Sequence, residues 1–240
     1  MTGAVAVVVG ASGAIGRAVV AQLAQDARFD AIVALSRKQQ DWEPSHVQAM
    51  PIDLLDEATI AAAVQPVAAL GALRLVFVAT GMLHDDGHQP EKSWRALDPA
   101  ALARSFAVNA IGPALVAKHL LPLFPREGKA VFAALSARVG SIADNRLGGW
   151  YGYRASKAAL NQMIRTLAIE LARSRPEALC VGLHPGTVVS DLSQPFARNR
   201  AQDDLFTPEV SARHLLSVID GLSASDSGGL FAWDGSAIPF

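Results

Sequence analysis

Short apolar runs recur along the chain, each followed by a segment whose apolar residues repeat at helical spacing. Val5–Val9, Ala31–Leu35, Leu73–Ala79, Lys129–Leu135, Ala178–His184 and Gly229–Trp233 are the strand candidates. Ile15–Gln25, Ile60–Leu70, Ala100–Leu121, Tyr153–Arg173 and Pro208–Leu222 are the helical segments, and Pro113 predicts a kink in the third. Strands that are continuously apolar, without alternation, are covered on both faces and so belong to a parallel sheet. Repeated strand–helix units predict a doubly wound α/β fold, a parallel sheet of about seven strands with helices on both faces. No linker, repeat or low-complexity tract divides the sequence, so residues 1–240 are expected to form one domain. The polar, Gly/Pro-containing stretches His84–Pro99 and Ser190–Thr207 are expected to be ligand-facing loops, the second (about 190–207) a substrate lid inserted into that domain.

Composition narrows the class. A hydrophobic share of 51% with 18% charged residues suits a core-rich globular chain, not a disordered one. A net charge of −1 supplies no basic field for nucleic acid or an anionic membrane, so neither is an expected partner. The apolar N-terminus lacks a basic segment and is interrupted by glycines, and the apolar stretch Ala61–Leu83 is broken by Gln65, Pro66 and Arg74. The single cysteine, Cys180, cannot form an internal disulfide. Together these features predict a cytoplasmic protein in a reducing compartment. No metal site is expected: His84, Asp85, Asp86 and His88 lie in a polar loop and read as solvated side chains.

The first strand runs directly into Gly10-Ala-Ser12-Gly13-Ala-Ile15-Gly16 and then a helix. Glycines there permit a tight turn and let the backbone approach a pyrophosphate, whose charge is favoured at a helix N-terminus. Three glycines also occur in ordinary strand-to-helix turns, and it is the position directly after a first strand that favours dinucleotide binding. A site for NAD(H) would carry an acidic residue about 20 positions further on, at the ribose 2′-hydroxyl. The second strand ends instead in Ser36-Arg37-Lys38, where Arg37 can clamp a 2′-phosphate and Ser36 can donate to it. NADP(H) is therefore the expected cofactor in preference to NAD(H).

Tyr153 and Lys157 stand four residues apart and so share one helix face. A free phenol titrates near 10, and a lysine cation beside it favours the phenolate and lowers that value. The spacing alone is common by chance. Ser136, 17 residues earlier, follows a strand and so stands where open α/β sheets gather ligands. Pro185-Gly186-Thr187-Val188 follows another strand and can turn the backbone toward a nicotinamide. Tyr151 has alanine, not lysine, four residues on.

Glycine loop, Ser136, Tyr153/Lys157 and Pro185-Gly186, in this order and across essentially the whole chain, resemble the short-chain dehydrogenase/reductase family with its Rossmann-type NAD(P)-binding domain. The resemblance adds Asn109, on the long central helix, as the fourth member of a catalytic set with Ser136, Tyr153 and Lys157. It implies Tyr153 as general acid in carbonyl reduction and base in the reverse direction. Lys157 would hold the nicotinamide ribose, Ser136 would hydrogen-bond the substrate oxygen, and Asn109 would position a relay water. It also implies Asp53-Leu54 beside the adenine and Ala79-Thr80-Gly81 beside its ribose, a departure from the family's Asn-Ala-Gly. Val9 replaces the threonine of the usual T-G-x-x-x-G-x-G pattern. His184-Pro-Gly-Thr-Val-Val-Ser-Asp191-Leu and the ending Phe231-Ala-Trp233-Asp234-Gly235 are similar to the C-factor/sniffer-like branch, although the ending also reads as a hairpin turn packing the C-terminus.

The implied activity is reduction of an aldehyde, ketone or quinone by an oxidoreductase that pairs with itself as a homodimer or homotetramer. A nucleotide-binding signalling or regulatory protein of C-factor type is the alternative. A third reading is an epimerase or dehydratase, prompted by the G-x-x-G-x-x-G spacing. Those proteins carry a C-terminal substrate domain, and about 50 residues follow Gly186 here.

Overall fold

The computed structural model describes residues 3–38, 40–84, 87, 89–190 and 205–240. Seven strands form one parallel sheet: β1 (Ala4–Val9), β2 (Ala31–Ser36), β3 (Val47–Pro51), β4 (Ala72–Val78), β5 (Ala130–Leu135), β6 (Ala178–His184) and β7 (Leu230–Ala232). Their order is β3-β2-β1-β4-β5-β6-β7, so the winding direction reverses between β1 and β4. At such a reversal the loops leaving neighbouring strands part in opposite directions and open a crevice beyond the strand ends.

Side chains alternate between two cores. Val5, Val7 and Val9 face one, with Val116 and Leu120 of α5 (Gly112–Leu120) and Leu160, Ile164 and Leu171 of α6 (Tyr151–Ala172). Ala6 and Val8 face the other, with Val19 and Leu23 of α1 (Ala14–Leu23) and Leu215 and Ile219 of α7 (Pro208–Gly221). Covering both faces is what makes the strands read as unbroken apolar runs. Cys180 lies inside β6, buried, with burial raising its thiol to about 12.

One strand was not foreseen, and two expectations are corrected. The edge strand β3 carries the sequence Val-Gln-Ala-Met-Pro with mixed exposure, so no apolar run announces it. Ile60–Leu70 divides into α2 (Glu57–Ala62) and α3 (Val64–Leu70), because Pro66 has no N–H to return to the carbonyl of Ala62. The long central helix is not simply kinked at Pro113. Between α4 (Pro99–Phe106) and α5, residues Ala107–Ile111 form a π-turn closed by the Gly112 N–H on the Ala107 carbonyl. Proline again explains it: Pro113 cannot donate to Asn109, so the backbone widens just ahead of it.

The helical run Pro99–Leu123 is long and apolar enough by composition to cross a membrane, yet Ala110, Val116, Ala117 and Leu120 pack into the core against the sheet. The C-terminus does form a hairpin-like turn: Ala232 N–H bonds Ser236 and Ile238 N–H bonds Leu230. The expected lid lies mostly outside the described residues, as do Asp85, Asp86 and His88. Among the described residues no group of His, Cys, Asp and Glu is arranged to hold a metal.

Candidate active site

The glycine turn is built at the crevice. Gly10 has φ +84°, the left-handed region, and its N–H and that of Ala11 both donate to the Leu35 carbonyl, tying the turn to the end of β2. A β-carbon on Gly16 would stand 2.2 Å from the Gly10 carbonyl oxygen, so α1 can start this close to the turn only with glycine there. Gly13 caps α1 with no side chain on the helix N-terminus and no acidic residue in its first turn. Ser12, Gly13 and Ala14 are exposed, and Ile15 is half-buried. This leaves a helix N-terminus open to an anion.

Around the turn, the other predicted nucleotide contacts take differing positions. Arg37 is exposed at the end of β2 and makes no ion pair among the described residues. Ser36 is buried, and its hydroxyl donates to the Lys38 carbonyl at 2.5 Å, so the expected donation to a phosphate is already committed. Asp53 follows β3 and accepts from Leu55 N–H, whereas Leu54 turns inward onto Gly112, where an added β-carbon would meet it at 2.8 Å. Ala79, Thr80 and Gly81 follow β4. Thr80 packs against Gly10, and its buried hydroxyl has no hydrogen-bond partner among the described residues. Across the sheet, Gly186 (φ +77°) lies under Phe206 and Trp233, which with His214 form an aromatic trio. Val188 is buried and paired with Phe206, Thr187 accepts from the Phe206 N–H, and Pro185 accepts from Ser211.

The four residues expected to carry chemistry are brought together by β5, α6 and the π-turn. Lys157 is 2% exposed and donates to the Leu135 carbonyl at 2.7 Å, one residue before Ser136. Its Nζ lies 5.8 Å from the centre of the Tyr153 ring. Burial pulls the Lys157 ammonium down to about 7 and pushes the Tyr153 phenol up to about 12. The phenol is therefore raised, not lowered as the spacing predicted, because loss of hydration acts on both groups.

Asn109 is completely buried and closes a ring with Met82: its amide donates to the Met82 carbonyl and its Oδ1 accepts from the Met82 N–H, each at 2.8 Å. The same amide reaches Ser105 at 3.3 Å and Ser156 at 3.1 Å, and Ser156 donates to the Tyr153 carbonyl. Its side chain is thus fully used in joining the loop after β4 to α6. A relay water would have to meet its main-chain carbonyl, which Pro113 leaves without an α-helical donor.

Several participants escaped the sequence reading. Ser105 and Ser156 are buried polar residues on helical faces, with no motif to mark them. Asn161 accepts the Ser136 hydroxyl at 2.6 Å and stands one turn beyond Lys157, a spacing that could have placed it on the same face. Glu91, from the loop before α4, accepts from Gly152 N–H at 3.1 Å and so caps α6 from a distance. It also lines a small cavity beside Tyr153 with Met82, Leu83 and Ser105. α6 needs that cap because Trp150, its N-cap residue, has φ +51° and offers no side-chain acceptor.

A sheet reversing between β1 and β4, with a glycine turn and a Tyr/Lys helix gathered at its carboxyl edge, is the architecture of dinucleotide-dependent oxidoreductases. Within that class, the chain belongs to the short chain dehydrogenase family, whose sequence model matches residues 4–201. It is 40% identical to the C-signal of Myxococcus xanthus over 151 residues, 61% of this chain and 85% of that one. Among solved structures, NADPH-bound carbonyl reductase from chicken fatty liver superposes with a TM-score of 0.84 at 23% identity, covering 100% of this chain and 99% of that one. Carbonyl reductase Sniffer of D. melanogaster superposes with a TM-score of 0.82 at 22% identity, covering 100% of both. At these identities the structural likeness is one of fold; with the C-signal match it agrees with the branch that the second half of the sequence resembles.

Proposed function

We propose that the protein is an NADP(H)-dependent oxidoreductase that reduces an aldehyde or ketone to an alcohol, or runs the reverse reaction, with Tyr153 as general acid or base. The observation that carries this reading is the convergence of Ser136, Tyr153, Lys157 and Asn109, through linked contacts, at the edge where the glycine turn opens. The residues present fit a nicotinamide dinucleotide: Gly10 and Gly16 draw the turn tight, and among the described residues nothing caps the α1 N-terminus and the Thr80 hydroxyl beside Gly10 has no partner. Ser12, Gly13 and Ile15 would meet the pyrophosphate, Asp53 and Ala79–Gly81 the adenosine half, and Pro185–Val188 the nicotinamide. Arg37, exposed where an acidic residue would repel a 2′-phosphate, supports the phosphorylated cofactor. When bound, that cofactor supplies or accepts the hydride.

The chain's own residues then handle the proton. A phenol near 12 is protonated at neutral pH, so Tyr153 is ready to donate to a carbonyl oxygen as negative charge grows there. The phenolate left behind is favoured by the Lys157 ammonium, which with one described acceptor keeps N–H directions free for ribose hydroxyls. In this reading Ser136 would stand beside the reacting oxygen.

Titration of the purified protein with NADPH and NADH, followed by assay on a panel of aldehydes, ketones and quinones, tests the reading. NADPH is expected to bind more tightly, and Tyr153→Phe to lose turnover by about 10²- to 10⁴-fold. A normal rate in that variant would sink the mechanism, and tighter NADH binding would overturn the role given to Arg37. The likeness to C-signal favours a second, less supported reading as a nucleotide-binding signalling protein. There, Tyr153→Phe would leave the biological effect intact while loss of cofactor binding abolished it.

A further inference from the structure

We propose that Asn161 is a positioning residue that keeps the Ser136 hydroxyl proton engaged, so that Ser136 meets the reacting oxygen as a hydrogen-bond acceptor. This rests on the reading of Ser136 as the residue beside that oxygen. Both side chains are 3% exposed, and the Oγ–Oδ1 distance is 2.6 Å. The direction of that bond follows from the other end of the amide. Asn161 Nδ2 lies 3.3 Å from the Gly140 carbonyl oxygen. Turning the amide over would set Oδ1 against that oxygen, two acceptors face to face, so Nδ2 must point at Gly140 and Oδ1 at Ser136. With Oδ1 opposite it, the serine has to be the donor.

The Gly140 carbonyl is itself held in place. A β-carbon on Gly140 would stand 2.8 Å from Cβ of Lys157, so the turn Arg138–Gly140 lies directly on the catalytic helix. Lys157 and Asn161, one helical turn apart, therefore grip the two sides of the same β5 exit, at Leu135 and at Ser136.

The chemical consequence concerns the oxidation state of the bound ligand. An alcohol brings an O–H and finds an acceptor in Ser136. A carbonyl brings only lone pairs, takes its hydrogen bond from Tyr153, and gains one from Ser136 only if the serine releases Asn161. Asn161 thus biases the ground-state site toward the alcohol.

Neutron diffraction from deuterated crystals reads the proton directly. Deuterium on Ser136 Oγ along the line to Asn161 Oδ1 is expected; deuterium pointing elsewhere, or an inverted amide, overturns the proposal. In solution, the probes are 4-nitrobenzaldehyde and 4-nitrobenzyl alcohol. Asn161→Leu is expected to lower the aldehyde-to-alcohol ratio of KM values about fivefold, the size of one hydrogen bond, and to be silent within about twofold in a Ser136→Ala background. An equal shift in both backgrounds would mean that Asn161 does not act through Ser136. If Asn161→Leu does not fold, Asn161→Ala removes the same acceptor with a smaller side chain and should lower the ratio in the same direction; an unchanged ratio overturns the proposal. Retained turnover in Tyr153→Phe would instead defeat the reading of the reaction and leave the neutron result standing.

Discussion

Replacing Lys157 by methionine measures what burying its cation costs, with no substrate needed. The ammonium is 2% exposed, and burial takes its pKa from 10.5 to about 7. In the unfolded chain it titrates near its ordinary value, so between about pH 7 and 10.5 the unfolded state holds more protons and stability rises with pH. Below that window both states are charged and the penalty is complete; above it neither is charged and the penalty is gone. At about 1.4 kcal/mol per pH unit, the penalty is roughly 4 kcal/mol at pH 7 and about 2 kcal/mol at pH 9. Methionine removes it at every pH but leaves the Leu135 carbonyl without its donor, a loss of about 1–3 kcal/mol. The variant should therefore match or exceed the wild type at pH 7, and its advantage should shrink by about 2 kcal/mol by pH 9. Urea unfolding of both proteins at pH 7, 8 and 9, followed by tryptophan fluorescence, gives that difference. Cys180, raised by burial, is common to the two proteins and cancels, and Tyr153, pushed up to about 12, stays protonated in both folded proteins over this range. A wild-type stability that fails to rise relative to the variant over this range would show that Lys157 is not buried as a charge.

Two further outcomes concern the frame around the site. Glu91→Ala removes the only described side-chain cap on α6 and should lower stability by about 1 kcal/mol and melting temperature by about 2–4 °C, with kcat falling because Tyr153 sits in the first turn; Glu91→Gln should restore part of both. Calorimetry with steady-state assay checks it, and an unchanged melting temperature in the alanine variant would refute the capping role. Lys129 donates to the carbonyls of Ile219, Asp220 and Leu222 and so closes the C-terminus of α7. Lys129→Met should destabilise by about 1–2 kcal/mol, read as a lower urea midpoint, and no shift would mean that solvent serves those carbonyls equally well.

What was legible in the sequence divides along physical lines. Strands buried on both faces were readable because burial leaves an unbroken apolar run, as at Ala178–His184, where prediction and structure share their bounds. The edge strand Val47–Pro51 was not, since a strand with one neighbour and mixed exposure needs no such run. Residues marked by backbone necessity were also legible: Gly10 by its φ, Gly16 by its close approach to the turn. The hydrogen-bond state of a side chain was not. Ser36 was expected to be a free donor and is bonded to its own turn, and Asn109 was expected at a water and closes on Met82. Such partners are set by the packing of distant segments, as are Glu91 on α6 and Asn161 on Ser136. The pKa of Tyr153 went the other way for the same reason, because spacing announces a neighbouring charge but says nothing of how much water is lost.

The widened turn at Ala107–Ile111 also changes how the central helical rod keeps count. One additional residue rotates everything after it by about 100° about the axis, so the two halves of the rod run out of phase. Ahead of the turn, Ser105 points to α6; behind it, Val116, Ala117 and Leu120 point to the sheet. A uniform helix of the same composition could not aim both sets at once. Length in this stretch is therefore as constrained as identity: deleting a single residue would leave a well-formed helix with one half facing the wrong way.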